Sequence, residues 1–376
     1  MSPFPSRVAV LFGGPSPEHD VSVLTGLQAL RGLGGVGSAR EVRALYWSRT
    51  GEFFEVPASL EGTAFLEGPP GGAVPAQLVL GSSGGFVVRR GGMRPRTERV
   101  EVDALLVCCH GGPGEDGSLQ GALDLAGLAY TGPTASGAAL GMDKLAFGAV
   151  MRSAGIACLD RVALERDGSE PPFGGPYIVK PRFGGSSIGI DVVADLETAR
   201  ARLVANVHLR RGAVVEPYRP ELADLQVAVR TWPSVELSAI ERPLRSSSGG
   251  EILGYRDKYV GGGGMASAPR ELPANVPGKL AEQIREVARE VASVSGARGV
   301  TRVDFLGNGD ELYVNEVNTI PGSLSRHLFV DPPLPFAELL SGLLLEAVER
   351  PAACISAAGA DGVVLRSAES IAAKLA

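Results

Sequence analysis

Short apolar runs and longer helical repeats alternate along this chain. Residues 8–12 form a continuous apolar run, as in a strand buried on both faces. A glycine turn separates this run from apolar positions at Val21, Leu24, Leu27 and Leu30, whose spacing indicates a helix. A strand, a glycine turn and a helix in this order open an α/β unit, in which ligands bind at the carboxyl ends of the strands.

The same kinds of element recur along the rest of the chain. Further strands are predicted at residues 102–109, 177–179, 214–218 and 225–232, and helices at residues 118–128, 144–154, 280–294 and 339–348. Ser118 is a plausible cap for the first of these helices. Residues 35–100 mix strand-like pieces with Gly/Pro/Ser-rich stretches and predict little. The predicted fold class is α/β.

Residues 301–322 predict a β-hairpin, because two segments rich in β-branched and aromatic residues flank a Gly/Asn/Asp turn. Arg302 and Asp304 share one face of the first strand, and Glu316 and Asn318 share one face of the second. A turn of three or five residues, with Gly309 supplying a positive φ, places all four on one face, whereas a turn of two or four separates them. The opposite face would then carry Val303, Phe305 and Val317.

Two carboxylates and an amide on one wall suit Mg²⁺, which takes oxygen ligands and completes its octahedron with water and phosphate. The alternative is a solvated hairpin face. Two observations argue against that alternative: the same strands carry enough apolar residues to be buried, and residues 318–322 form a turn signal and not a continuing surface strand. Carboxylates on a buried strand are costly unless they are paired.

Two loops follow predicted strands at their carboxyl ends. Residues 13–20 lack the GxGxxG pattern, so a dinucleotide site is weakly supported. In this loop Glu18 either starts the helix favourably for its dipole or reaches across a cleft to a cation. In the second loop, residues 110–117, His110 stands beside four glycines and is either structural or functional.

Two further segments are rich in small residues. Lys180 precedes the Gly/Ser-rich residues 181–189, whose backbone N–H groups and hydroxyls can bind phosphate, although a flexible hairpin tip has the same composition. Residues 255–267 contain four consecutive glycines after Asp257-Lys258-Tyr259. Such a segment is typical of a mobile lid or of a plain linker.

Composition narrows the class of protein. A chain of 376 residues has room for two or three domains, and its 44% hydrophobic and 21% charged residues describe an ordinary globular protein. A net charge of −6 argues against a nucleic-acid partner. Four cysteines without a CxxC pair, the absence of a signal sequence and of an 18-residue apolar run predict a soluble, cytoplasmic protein without a membrane partner.

Several segments in register resemble the D-alanine:D-alanine ligases of the ATP-grasp superfamily. They are VAVLFGGPSPEHDVSV, HGGPGEDGSLQGALDLAGLAYTG, LGMDK, YIVKPRFGGSSIGI, VEPY, DKY, RGVTRVDF and YVNEVNTIPG, spread from residue 8 to residue 322. The resemblance implies a three-domain ATP-grasp architecture with residues 1–140 as an α/β domain, 141–228 as the central domain, 229–350 as the catalytic domain and 351–376 as an alanine-rich tail. It also implies ATP and Mg²⁺ (or Mn²⁺) as cofactors, amino acids as substrates and a homodimer.

The resemblance assigns roles to individual residues. Asp304, Glu316 and Asn318 would bind the metal. The ATP-binding set would be Lys144 and Lys180 at the phosphates, Glu216 on the adenine side, and Ser187, Tyr218, Asp224 and Lys258. Catalysis would use a hydrogen-bonded triad of Glu18, Ser186 and Tyr259, with Arg302 and the backbone of Gly322 stabilising an oxyanion. Glu18 would also hold the ammonium of the first substrate, His110 would lie near its carboxylate, and Ser323 and His327 would bind the acceptor.

The implied reaction is phosphorylation of a carboxylate by ATP and attack of a second amine on the acyl phosphate, as in peptidoglycan precursor synthesis. The chain departs from the family pattern at the acceptor, because NTxPGMTxxS is here NTIPGSLSRH and the final serine is His327. We therefore keep three hypotheses: a D-alanine:D-alanine ligase, a ligase of the same chemistry with another acceptor, and an ATP-binding regulator without catalysis. The last ranks lowest because every metal, lysine and arginine position is filled.

Overall fold

The computed structural model describes residues 4–36, 41–81, 83–92, 96–244 and 269–367. Two site residues assigned by resemblance, Lys258 and Tyr259, lie outside these residues, as does the glycine run beside them. Within the described residues, no helix is long and apolar enough to cross a bilayer.

A seven-stranded sheet occupies the amino-terminal part of the chain. Its elements are β1 (Arg7–Gly13), α1 (His19–Leu33), β2 (Glu41–Trp47), β3 (Phe53–Val56), β4 (Val74–Val79), β5 (Gly85–Arg90), β6 (Arg96–Arg99) and β7 (Ala104–Val107). The strand order is β6-β5-β4-β3-β2-β1-β7. Strand β1 lies parallel to β2 and β7, which confirms the opening α/β unit, while β2 to β6 form an antiparallel meander.

Three helices, α2 (Ser118–Leu125), α3 (Ala135–Met142) and α4 (Lys144–Ser153), lead to the central part of the chain. The prediction that Ser118 caps α2 is wrong. Gly117, with φ of +95°, is the cap residue, and the side chain of Asp116 accepts a hydrogen bond from the Ser118 amide at 3.1 Å. Helix α4 begins at Lys144 as predicted, with Asp143 accepting from the amide of Leu145 at 3.0 Å.

Two four-stranded sheets follow. The second sheet contains β8 (Val162–Ala163), β9 (Tyr177–Pro181), β10 (Asp191–Val193) and β11 (Ala213–Pro217), with α5 (Leu196–Ala205) inserted before β11. The third contains β12 (Ala223–Arg230), β13 (Glu236–Leu237), β16 (Val300–Gly307) and β17 (Leu312–Asn318) in the order β13-β12-β16-β17. Between β13 and β16 in sequence lie the paired strands β14 (Arg242–Pro243) and β15 (Arg270–Glu271) and the helix α6 (Gly278–Val294). Helices α7 (Phe336–Glu349) and α8 (Val363–Arg366) come last. The domain boundary that the resemblance implies at residue 228 falls inside β12.

One face of the third sheet is apolar and carries the core of this region. Helix α6 is strongly amphipathic, and its Ile284 and Val291 are fully buried against the sheet. Val303, Phe305 and Val317 point into the same core, as predicted. The polar residues of β16 and β17 therefore lie on the opposite face.

A β-bulge sets the register of the β16–β17 hairpin. The turn has four residues between Gly307 and Leu312, which by parity would separate the two polar pairs, and Gly309 does not adopt a positive φ. Instead the side chain of Asn308 accepts hydrogen bonds from the turn amides of Asp310 and Glu311. The extra residue Asn315 then shifts the pairing by one, so Asp304 stands opposite Glu316 and Arg302 opposite Asn318. The bulge places all four polar residues on one face.

Candidate functional site

A cleft lies between the second and third sheets. Eight residues assigned by resemblance line it: Lys144, Lys180, Ser187, Glu216, Tyr218, Asp224, Asp304 and Glu316. A smaller cavity adjoins it and is lined by Glu18, Glu115 and Asn318 together with Lys144 and Glu316. Lys144 and Glu316 thus stand where the two cavities meet.

Lys180 is held at the base of the cleft. Its Nζ donates to Glu216 Oε2 at 2.7 Å and to Asn315 Oδ1 at 3.1 Å. The Glu216 side chain is fully buried, so its carboxylate serves Lys180 and does not project freely toward a ligand. The bulge residue Asn315 therefore also orients a phosphate-binding candidate.

Arg161 was not singled out from the sequence, yet it joins these elements from beneath. Its Nη1 donates to the Lys144 carbonyl at 3.0 Å, its Nη2 to the Asn315 carbonyl at 2.9 Å, and its Nε lies 3.1 Å from Glu216 Oε1. Burial acts to raise the pKa of Glu216, but the charges of Arg161 and Lys180 hold that pKa below its ordinary value. The carboxylate therefore remains ionised beneath the cleft.

Lys144 extends from the first turn of α4 toward the smaller cavity. Its Nζ donates to the Gly184 carbonyl at 2.5 Å and lies 3.6 Å from Glu316 Oε2. Burial lowers the pKa of Lys144 more than the Glu316 carboxylate raises it. An anion bound beside Lys144 would offset this desolvation, as expected for a phosphate contact.

The predicted metal ligands lie together on the hairpin. Arg302 Nε and Nη2 each donate to Asp304 at 2.7 Å, and Asn318 Nδ2 donates to Asp304 Oδ2 at 3.1 Å. No group of three or more His, Cys, Asp or Glu side chains in the described ranges is arranged to hold a metal ion. Two carboxylates and one amide nonetheless form the hard-oxygen donor set that suits Mg²⁺ when phosphate and water supply the remaining ligands.

Glu18 stands at the start of α1 and reaches across to the loop after β9. It is the N-cap residue of α1, but its side chain makes no capping hydrogen bond; its Oε1 instead accepts a hydrogen bond from the Ser186 hydroxyl. Ser186 and Ser187 both have positive φ, 52° and 58°, so the loop after β9 is tightly turned. Gly111 has φ of +63° and ψ of 172°, a backbone conformation that is essentially restricted to glycine, and a Cβ there would lie 2.3 Å from Glu18 Oε2.

Glu115 is a second carboxylate that sequence reasoning missed. Its Oε2 accepts from the Gly111 amide at 3.0 Å, and its Oε1 accepts from Thr319 Oγ1 and the Ile320 amide at 3.1 and 2.9 Å. Burial, followed by the nearby charge of Glu18, raises its pKa to about 7. Two neighbouring carboxylates, one poised to titrate, suit a cavity that binds an ammonium group.

His110 is 3% exposed and has a defined tautomer. Its Nδ1 bonds the Ile320 carbonyl at 2.7 Å and must therefore carry the proton, and its Nε2 accepts from the Thr25 hydroxyl at 2.8 Å. Thr25 Oγ1 accepts in turn from the Ser323 amide at 3.0 Å. Burial lowers the pKa of His110 to about 4, so the neutral ring joins α1 to residues 320–323, and both of its nitrogens are used within the protein.

The acceptor segment forms a tight 3₁₀ turn at Gly322–Leu328. Ser323, Leu324 and Ser325 have φ of 49°, 52° and 51°, a run of left-handed residues that costs free energy for side chains other than glycine. Leu324 and Ser325 are buried, at 3% and 0% exposed, and packing therefore holds the turn. His327 projects from it with its Nε2 3.5 Å from Glu241 Oε2.

Models of the D-ala D-ala ligase N-terminus and C-terminus match residues 7–133 and 150–332. A D-alanine–D-alanine ligase of a Bradyrhizobium species is 31% identical over 92% of this chain and 96% of its own length, and one from an Arthrobacter species is 30% identical over 92% and 94%. The chain belongs to the D-alanine–D-alanine ligase family.

Solved structures agree with this fold. D-alanyl-alanine synthetase A from Vibrio cholerae superposes with a TM-score of 0.73 at 21% identity, over 91% of this chain and 98% of that one. The VanG D-Ala:D-Ser ligase from Enterococcus faecalis superposes with a TM-score of 0.71 at 24% identity, over 91% and 99%. These likenesses show the ATP-grasp fold, and the family membership shows an ATP-dependent ligase that acts on amino acids.

Proposed function

We propose that the protein joins D-alanine to D-alanine through an acyl phosphate, using ATP, for peptidoglycan precursor synthesis. The observation that carries this proposal is the meeting of two cavities at Lys144 and Glu316: one is lined by phosphate and metal candidates, the other by the carboxylates of Glu18 and Glu115. ATP in the cleft would present its terminal phosphate to an amino acid in the smaller cavity. Such positioning is the main requirement for phosphoryl transfer.

Each proposed role follows from a contact. Lys180, oriented by Glu216 and Asn315, and Lys144 at the cavity junction neutralise charge on the transferred phosphoryl group. Glu18 holds the ammonium group of the first amino acid, and the Ser186 hydroxyl fixes the position of the Glu18 carboxylate. Asp304, Glu316 and Asn318 would hold Mg²⁺ or Mn²⁺, which when bound supplies further positive charge at the phosphates.

The remaining assignments are part of the same proposal. Ser187, Tyr218 and Asp224 line the cleft where the nucleotide would lie, and an adenine contact at Glu216 would come from its backbone because its carboxylate is engaged below. Arg302 and Gly322 would stabilise the oxyanion. His110 acts on the first substrate by positioning residues 320–323. We further propose that the protein is cytoplasmic and forms a homodimer. Light scattering of the purified protein tests the dimer.

A second candidate is a ligase of the same chemistry with another acceptor, because His327 with its Glu241 contact replaces the family serine. Purified protein is incubated with ATP, Mg²⁺ and single or paired D- and L-amino acids, and phosphate release and the dipeptide product are measured. D-alanine alone supporting both readouts favours the first proposal. Release that requires a second, different amino acid favours the other acceptor, and no release with any pair contradicts both.

A further inference from the structure

Gln226 lies on strand β12 and lines the cleft between the second and third sheets. Its neighbours Leu225 and Val227 are buried in the core on the opposite face of the sheet, so the side chain of Gln226 points toward the cleft. The residue is 8% exposed, and the residues that the structure describes offer its side-chain amide no hydrogen-bond partner. A nearly buried amide without a partner is costly, which indicates that it serves a ligand.

The backbone hydrogen bonds of Gln226 place its side chain beside the predicted metal site. Its N–H and its carbonyl both bond to the backbone of Glu241, each at 2.9 Å. On its other side Gln226 stands opposite Asp304, and because its backbone groups are used toward Glu241, the two residues form a non-hydrogen-bonded pair. In such a pair the Cα atoms are only about 4.5 Å apart and the side chains are close together. The Gln226 amide therefore adjoins the Asp304 carboxylate.

The carboxylates on either side of Gln226 are engaged by arginines. Arg302 donates to both oxygens of Asp304 at 2.7 Å, and Arg270 donates to Glu241 Oε1 at 2.8 Å. Gln226 thus adds a neutral group with two N–H donors to a wall on which the acidic groups already have their cations. A neutral donor can bind an anion without changing the charge of the metal site.

Two other residues of the wall indicate which part of a nucleotide Gln226 would meet. Asp224, which would lie at the ribose, is two residues earlier on the same face of β12, and Glu316, at the site of phosphoryl transfer, is opposite Asp304 on the next strand. Strand geometry puts Gln226 about 7 Å from Asp224 and about 10 Å from Glu316, whereas those two are about 12 Å apart. Gln226 therefore stands between the ribose end and the transfer end of the cleft.

We propose that the side-chain amide of Gln226 donates a hydrogen bond to a phosphate oxygen of the bound nucleotide, on the part of the triphosphate that remains as ADP. This inference rests on the proposed function, which puts ATP in this cleft. A nucleotide that fills the cleft removes solvent from the amide and must offer it a partner. Between the ribose and the transferred group, the anionic phosphate oxygens are the partners that a nucleotide offers to an N–H donor.

Calorimetric titrations of the full-length protein with ATP, ADP and adenosine in the presence of Mg²⁺ test this contact. Gln226→Met removes the amide and keeps the length of the side chain. The Kd for ATP and the Kd for ADP should each rise about tenfold or more, as for the loss of a hydrogen bond to a charged group, while the Kd for adenosine stays unchanged. Because no hydrogen bond within the protein is lost, the Tm of the nucleotide-free variant should stay within about 2 °C of the wild type.

Gln77→Met is the matched control. Gln77 is an exposed glutamine on β4 of the first sheet, so its replacement should change neither Tm nor any of the three Kd values. Should Gln226→Met fail to fold, Gln226→Asn takes its place. Asparagine keeps a polar amide but withdraws it by one methylene group, so the Kd for ATP and ADP should again rise while the Kd for adenosine does not.

Unchanged Kd values for ATP and ADP in the Gln226 variant would overturn the inference. An equal rise in the Kd for adenosine would also overturn it, because the contact would then be with the nucleoside, and a rise for ATP alone would assign the contact to the transferred phosphate instead. A fall in Tm beyond about 2 °C would show a structural role and overturn the ligand role as well. A wild type that binds no ATP contradicts the proposed function itself, before any variant is compared.

Discussion

Replacing Arg161 with methionine tests whether the base of the cleft controls ATP binding. Methionine keeps an unbranched apolar stem but removes all three contacts of the guanidinium, with the Lys144 carbonyl, the Asn315 carbonyl and the Glu216 carboxylate. Glu216 and Lys180 remain paired, so no buried charge is left without a counter-ion. The variant therefore removes two hydrogen bonds from a charged donor together with one of the two cations that lower the pKa of Glu216.

The magnitude follows from these contacts. Two backbone carbonyls in a buried region lose a charged donor, at about 1.5–3 kcal/mol each, so the free energy of unfolding should fall by about 3–6 kcal/mol. At roughly 2 °C per kcal/mol for a cooperative unit of this size, Tm should fall by about 6 °C or more. Because the bulge and the start of α4 lose their common support, the Kd for ATP should rise about tenfold, equivalent to ~1.4 kcal/mol.

Thermal unfolding and calorimetric titration with ATP measure the two effects. Arg166→Met is the matched control, since Arg166 is an exposed arginine five residues further along and should change neither quantity. A Tm within about 2 °C of the wild type, together with an unchanged Kd for ATP, would show that Arg161 supports neither the fold nor the phosphate-binding lysines.

Three further changes probe the wall and the first-substrate cavity. Glu316→Gln should reduce ligation on the order of a thousandfold at saturating Mg²⁺ with an unchanged circular dichroism spectrum; near wild-type turnover would contradict a metal role for the hairpin. For Glu115 the folded pKa of about 7 exceeds the ordinary value of 4.5, so the wild type should lose roughly 3 kcal/mol of stability relative to Glu115→Gln as pH rises from 5 to 8. Parallel Tm–pH curves would exclude this titration. Thr25→Val leaves His110 Nε2 and the Ser323 amide without hydrogen-bond partners, so the free energy of unfolding should fall by roughly 2–4 kcal/mol. The KM for the acceptor should rise while the KM for ATP stays unchanged. Equal changes in both KM values would indicate a general loss of structure instead.

The strands and helices with strong local patterns could be predicted from the sequence. The apolar run at residues 8–12, the amphipathic helix α6 and the apolar face of the hairpin each depend on periodicity within one segment. The meander was not predicted because its strands are partly exposed, and every residue of β6 is exposed. Without apolar alternation, such a strand has no signal at the level of sequence.

The residue types of the site could be predicted from the sequence, but the hydrogen bonds and ion pairs between those residues could not. Lys144, Lys180, Asp304 and Glu316 were found from motifs, and the structure brings all four to one cleft. Arg161, by contrast, looks like an ordinary surface residue until the fold buries it. The positions of buried charges depend on contacts between residues far apart in the chain, which periodicity does not encode.

The bulge at Asn315 links the length of a surface turn to the chemistry of the wall. In a homologue that gains or loses one residue in the four-residue turn, Glu316 and Asn318 would face away from Asp304, unless the bulge is lost as well. Insertions at this tip are therefore not neutral, although surface turns usually tolerate them. Among homologues, a turn with an odd number of residues should be followed by a second strand without a bulge, and a turn with an even number by a strand with a bulge. The length of the turn and the length of the second strand should therefore change together, while the residues that face Asp304 and Arg302 stay the same.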